Sequence, residues 1–137
     1  MTDIIATLVF DSWSNSTPER RGSKPVDRHL IYEGDGIVLD LILKQNGGAN
    51  CIHVGGQVLS EKAMDEQVSD RRVLMEQGKK CSATHTNALG EFSFHAVPNG
   101  SFDLCIVLDK RRFSVRGLSS QEPRMWQVVP SFAGGGD

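Results

Sequence analysis

Between Gly34-Asp35-Gly36 and the segment Gln45-Asn46-Gly47-Gly48-Ala49-Asn50, the chain alternates without interruption. Ile37, Leu39, Leu41 and Leu43 fall at odd positions, and Val38, Asp40, Ile42 and Lys44 at even ones. A period of two puts the first set on one face of an extended strand and the second on the other. Helical geometry would scatter the aliphatic set around the axis. Asp40 and Lys44 mark the second face as wet, so this strand belongs to a sheet with one face in a core. The flanking segments fit turns, because Gly-Asp-Gly easily supplies positive φ and Asn-Gly-Gly closes a hairpin.

The rest of the chain extends this pattern. Ile4 to Phe10 is β-branched and apolar and fits one buried strand. Residues 12–25 collect Ser, Asn, Pro, Arg and Gly and form a loop, and Arg28 to Glu33 is a second short strand. Cys51 to Leu59 is the return strand of the hairpin, with Gly55-Gly56 marking a bulge or a close backbone approach. Residues 61–77 are ambiguous. Their Glu, Lys, Ala, Met and Arg content suits a helix ended by Gly78, while the spacing of neighbouring strands favours a polar loop to about Ser69 and a strand from Arg71 to Glu76.

Lys80 to Thr86 alternates weakly, and Asn87-Ala88-Leu89-Gly90 is a turn. Glu91 to His95 is a strand with Phe92 and Phe94 inward, followed by the turn Val97-Pro98-Asn99-Gly100. Phe102, Leu104, Ile106 and Leu108 alternate with Asp103, Cys105, Val107 and Asp109. Arg111 to Arg116 is a further strand, Trp126 to Pro130 a last edge segment, and residues 131–137 a loose Gly-rich tail. Short strands at regular spacing, with no βαβ rhythm, predict an all-β, antiparallel two-sheet sandwich of seven to nine strands, as one domain over residues 1–137.

Composition narrows the function classes. The 137 residues carry a net charge of −2 with both signs dispersed, which gives no electrostatic footprint for nucleic acid or an anionic membrane. No stretch approaches the ~20 apolar residues of a membrane helix. The first residues, Met-Thr-Asp-Ile-Ile, lack the basic and long apolar regions of a secretory signal. Cys51, Cys81 and Cys105 are odd in number and widely spaced, so no disulfide framework is expected and a reducing cytoplasm is.

Two stretches carry a resemblance. Gly56-Gln57-Val58, then Thr86-Asn87-Ala88-Leu89-Gly90-Glu91-Phe92-Ser93-Phe94, then Val97-Pro98-Asn99-Gly100-Ser101-Phe102-Asp103-Leu104 resemble the carboxypeptidase regulatory-like domains, which belong with the transthyretin-like (prealbumin-like) and collagen-adhesin B-type sandwiches. The likeness covers about residues 54–108. It implies a sandwich with Phe92, Phe94, Phe102 and Leu104 in its core, and it implies little about function, because the fold carries many roles. The N-terminal segments Ala6 to Ser12, Arg28 to Glu33 and Val38 to Leu41 resemble small bacterial proteins encoded near sigma factors, zinc-finger anti-sigma proteins and caspase-like proteases. That resemblance implies an accessory role in a signalling or conflict system.

Catalytic and metal chemistry have weak sequence support. His29, His53, His85 and His95 show no close-paired zinc spacing. Cys51 and His53, at i and i+2, share a strand face, as do Cys81 and His85 at i and i+4. Scattered strand residues account for both pairs, so no metal and no cofactor is expected. No nucleophile elbow and no phosphate-binding loop is present. Related intradiol dioxygenases need two Tyr, and Tyr32 is the only one. Adhesin-type isopeptide bonds need a Lys in the first strand, which has none.

The expected role is therefore a non-enzymatic protein-interaction module, using sheet edges or the loops 12–25 and 60–70, with a sigma-factor, anti-sigma or protease-type protein as partner and neither nucleic acid nor membrane. The alternatives are a carbohydrate-binding sandwich and a proteolytic substrate or switch cut in one of those loops. The candidate interaction residues are Trp13 and Trp126, which can anchor an interface or cover an end of the sandwich, and the basic pairs Arg20-Arg21 and Arg71-Arg72.

Overall fold

The computed structural model describes residues 2–13, 27–45, 50–61 and 67–119. These residues form ten β-strands and no helix: β1 Thr2–Ile5, β2 Thr7–Asp11, β3 Asp27–Gly34, β4 Ile37–Gln45, β5 Cys51–Ser60, β6 Arg72–Gln77, β7 Lys80–His85, β8 Glu91–Pro98, β9 Phe102–Val107 and β10 Arg111–Leu118. They make two five-stranded sheets, β1-β10-β9-β6-β7 and β2-β3-β4-β5-β8. Every pairing is antiparallel except β1 with β10. The chain is an all-β two-sheet sandwich, as the alternation predicts. The antiparallel hairpin β4–β5 and the strand β6 stand where the sequence places them. The expected Trp126–Pro130 strand and the tail lie outside the described residues, as does most of loop 12–25.

The core is the interdigitated alternation of both sheets. Leu39, Leu41, Ile52, Val54 and Val58 from one sheet and Val73, Ile106 and Phe113 from the other are fully buried. Each such side chain contributes ~1.5–3 kcal/mol relative to exposure. Asp35 (φ 49°) and Gly36 (φ 83°) make the left-handed turn between β3 and β4 that the Gly-Asp-Gly signal predicts.

Three expectations are corrected. Ile4 to Phe10 is not one buried strand. The chain breaks at Ala6, and β1 joins one sheet while β2 joins the other. Ile5 is 86% exposed, because this stretch lies along the edges of the sandwich and only Ile4 reaches the core. The crossing is seated on Gly34, where an added Cβ would lie 2.4 Å from the Ile5 carbonyl oxygen. This division raises the strand number above the seven to nine expected. Of the two readings open for Gly55-Gly56, the structure shows the close approach. Both glycines keep register with β8, and a Cβ on Gly56 would lie 2.4 Å from the Phe92 ring. The irregularity falls lower on β8, where His95 and Ala96 together oppose His53, with Ala96 in the left-handed region (φ 57°). The extra residue turns Val97 into the core beside Phe94, so β8 runs on to Pro98 instead of ending at His95.

Candidate functional site

The outer face of the sheet β2-β3-β4-β5-β8 follows from register. Residues directly opposite in an antiparallel pair share a face. One row across the sheet reads Phe10, Ile31, Asp40, Gln57, Glu91, and the next reads His29, Ile42, Gly55, Ser93. A third brings Asp27, Lys44 and His53 together, and His95 lies beside His53 on β8. Three of the four histidines, placed far apart in sequence, thus stand on one face. Ile42 (37% exposed) and Leu59 (43% exposed) stand on it as well.

The side chains are organised. His29 Nε2 lies 2.7 Å from Asp40 Oδ1. The His29 ring meets Phe10 edge-on, with centroids 5.4 Å apart. These contacts fix His29 between an aromatic edge and a carboxylate. His53 and His95 approach with Nδ1 atoms 3.0 Å apart and centroids 4.6 Å apart. Ser93 Oγ lies 3.5 Å from His95 Nε2. Gly55 carries no side chain in the middle of this array, and the His53 ring lies over it. The result is an open depression of about 730 Å³, with His29, Asp40, His53, Gln57, Glu91 and Ser93 among its walls.

Burial, then His95 and Lys44, hold the His53 imidazole below its ordinary 6.5. At the sandwich end, burial raises the Tyr32 phenol above 10.0, against an opposing contribution from Arg28, while Asp11 adds to the rise.

The order Ser93, His95, His53 sets a hydroxyl beside an imidazole as in a hydrolase triad, with a second imidazole where the orienting carboxylate would stand. Its hydroxyl-to-imidazole contact sits at the outer limit of a hydrogen bond, and it lies open to water. Such a site lacks the dry surroundings in which a serine is activated.

The expected interaction residues that are described, Trp13, Arg71 and Arg72, are not gathered. Trp13 is half-buried and held in place. Its indole Nε1 donates to the Asp27 carbonyl at 3.1 Å, and the Arg28 guanidinium lies 4.8 Å from its ring centroid. Arg28 in turn donates twice to buried Asp11, at 3.1 and 2.6 Å, and to the Ser119 carbonyl at 2.6 Å. Trp13 is thus held against one end of the sandwich.

Arg71 is tied to the Gln67 carbonyl through Nε at 2.9 Å, and its backbone N–H donates to the Thr86 hydroxyl at 2.8 Å. Thr86 is buried and donates onward to the Val68 carbonyl. Arg72 is exposed on the outer face of the other sheet, in register with Val107 and, through it, Arg112. β9 runs from Phe102, beside Leu118, to Val107, beside Arg72, so Trp13 and the Arg71-Arg72 pair lie toward opposite ends of the sandwich. Arg20, Arg21 and Trp126 lie outside the described residues.

The histidine face was absent from the sequence expectations because each imidazole there looks isolated. The signal was available in the wet positions of β4: counting through the Asp35-Gly36 turn pairs Ile42 with His29, and counting through the β4–β5 hairpin pairs Lys44 with His53.

Among the described residues, no cluster of three or more His, Cys, Asp or Glu side chains is arranged to hold a metal ion, and no helix is long and apolar enough to cross a membrane. None of the three cysteines forms a disulfide. Comparison with models of known protein families, with curated proteins and with solved structures finds no match.

Proposed function

We propose that this chain is a non-enzymatic protein-interaction module and that the outer face of β2-β3-β4-β5-β8 is the surface it presents. The observation that carries this reading is the chemistry of that face. Phe10, Ile31, Ile42 and Leu59 turn outward on adjacent strands, interleaved with imidazoles and amides. A mixed apolar and aromatic patch with hydrogen-bonding groups is what a partner surface requires. The resemblance of the N-terminal segments implies the setting, an accessory element of a bacterial signalling or conflict system with a sigma-factor, anti-sigma or protease-type partner in the cytoplasm.

The test is a crosslinking pull-down from the native host, with wild-type protein, Ile42→Glu and Arg72→Glu as baits. The expected result is one specific partner that is held by the wild type and by Arg72→Glu and lost with Ile42→Glu. Loss with Arg72→Glu but not with Ile42→Glu would move the surface to the other sheet, and no specific partner at all would sink the interaction reading.

A second reading has one observation in its favour. The depression over Gly55 is walled by hydrogen-bonding side chains, which suits a polar small ligand such as a carbohydrate. A glycan array without hits would remove it.

A further inference from the structure

The most unusual contact on the molecule is between two imidazoles. His53 on β5 and His95 on β8 hold their Nδ1 atoms 3.0 Å apart at the surface. Two nitrogens each ~2.0–2.1 Å from one metal ion stand about 2.9 Å apart at a right angle and about 3.4 Å apart in a tetrahedron. The observed separation falls within that interval. We propose that His53 and His95 form a two-histidine site for a divalent transition cation of the zinc, nickel or copper class, with water completing the coordination.

Three features support the assignment. The pair is placed by the sheet and not by loops, since His53 and His95 flank the regular Val54–Phe94 pairing. His95 is itself one of the two bulge residues, and the other, Ala96, has a φ of 57° that is costly for a side chain other than glycine. Bulges of this kind concentrate where a strand must aim a side chain. Ser93 Oγ also stands 3.5 Å from His95 Nε2. With Nδ1 on the metal, the neutral His95 ring carries its proton on Nε2, and Ser93 is then placed to accept it. Metal-bound imidazoles commonly donate that proton to an outer partner, and Ser93 stands at the outer limit of the distance for it.

The proton count is simple. When both rings are neutral, one Nδ1 donates to the other. Metal binding turns both lone pairs toward the ion by rotation of the rings, and the donating ring moves its proton from Nδ1 to Nε2. No proton is released when both rings begin neutral; below the imidazole pKa, protonated rings must release theirs.

Lys44 lies directly across the ladder from His53 and is the opposing influence. Its ammonium repels a bound cation, so its removal should tighten the site. No third His, Cys, Asp or Glu completes the pair among the described residues, so the site is bidentate on the protein side.

The test is titration of the whole chain with Zn²⁺ by calorimetry and with Co²⁺ by absorbance, at a pH above the imidazole range. His53→Gln, His95→Gln, Lys44→Met and His85→Gln are compared with wild type, and circular dichroism confirms that each is folded. The expected result is one equivalent bound, weakened at least about tenfold by either His53→Gln or His95→Gln, tightened by Lys44→Met and unchanged by His85→Gln. No binding, binding that survives loss of either histidine, or a thiolate-to-Co²⁺ charge-transfer band that assigns the ion to cysteine would each overturn the proposal.

Discussion

The two outer faces of the sandwich are built by the same alternation and differ in what that alternation displays. On β1-β10-β9-β6-β7, a central row of Ile5, Ser114, Cys105, Leu74 and Ala83 is flanked by charges of both signs, and Arg112 Nε donates to Asp3 across the parallel pair at 2.9 Å. His85 is the one histidine borne by this sheet, and from the edge strand β7 it also lines the depression of the other. On β2-β3-β4-β5-β8, imidazoles stand on three strands around a glycine that leaves a hole. One face carries an ion pair across its parallel strands. The other presents donors, acceptors and apolar side chains to whatever approaches. Alternation decides which residues reach the core, and the register between strands decides what the outward residues can do together.

The largest test of this comparison asks whether the two faces are independent. Phe113 is fully buried between the sheets. Phe113→Ala should cost ~3–5 kcal/mol in denaturant unfolding and loosen both faces at once in hydrogen exchange. Protection lost on one sheet alone would show that the faces are carried by separate cores.

The next effect is local to the histidine-bearing sheet. Asp11 is buried and paired with Arg28, which is itself mostly buried. Asp11→Ala leaves that guanidinium without its carboxylate and should cost about 3 kcal/mol. The loss of protection should centre on β2 and β3, with Trp13 fluorescence changing in step, because Arg28 lies against its ring.

Gly55→Ala sharpens the comparison without breaking anything. The nearest atom to an added Cβ is His53 Nε2 at 3.7 Å, an ordinary contact. Stability should hold or rise by ~0.4–1 kcal/mol through the unfolded chain, while the depression becomes shallower. A clear loss of stability would mean that the ring of His53 is held more tightly than its geometry shows. Gly56→Ala, one residue away, should instead destabilise, because its Cβ would enter the Phe92 ring.

The smallest effect belongs to the charged face. Arg112 and Asp3 are 46% and 66% exposed. Arg112→Ala should change stability by less than about 1 kcal/mol and become neutral in high salt.

Much of the fold was legible because its strands are half-wet. β4 and β9 could be drawn residue by residue from alternation, and the Asp35-Gly36 turn from its composition. Ile4 to Phe10 misled because an apolar β-branched run looks the same whether it is buried in one sheet or stretched along the edges of two. What separates the cases is Gly34, twenty-eight residues after Ala6 in sequence, against which the crossing is seated. The β8 bulge was hidden for a related reason: a non-glycine residue in the left-handed region, here Ala96, has no sequence signature. The site was less legible than the fold. Trp13, which the sequence leaves open as an interface anchor or an end cover, is held against Asp27 and Arg28, and Arg71 gave no hint that it is tied down by Gln67 and Thr86. The histidine face is a property of pairing, and pairing is fixed by turns that must be counted through.

The crossing at Ala6 also bears on how the chain assembles. Among the described residues β1 has one sheet neighbour, β10, with Thr2 beside Arg111. During synthesis β1 waits until β10 has been made before its hydrogen bonds can close. Loop closure across most of the chain is slow, because the entropy is lost before any contact compensates it. Through that interval β1, with exposed Ile5, is an unpaired and sticky strand, open to capture by a chaperone or by another copy of the chain.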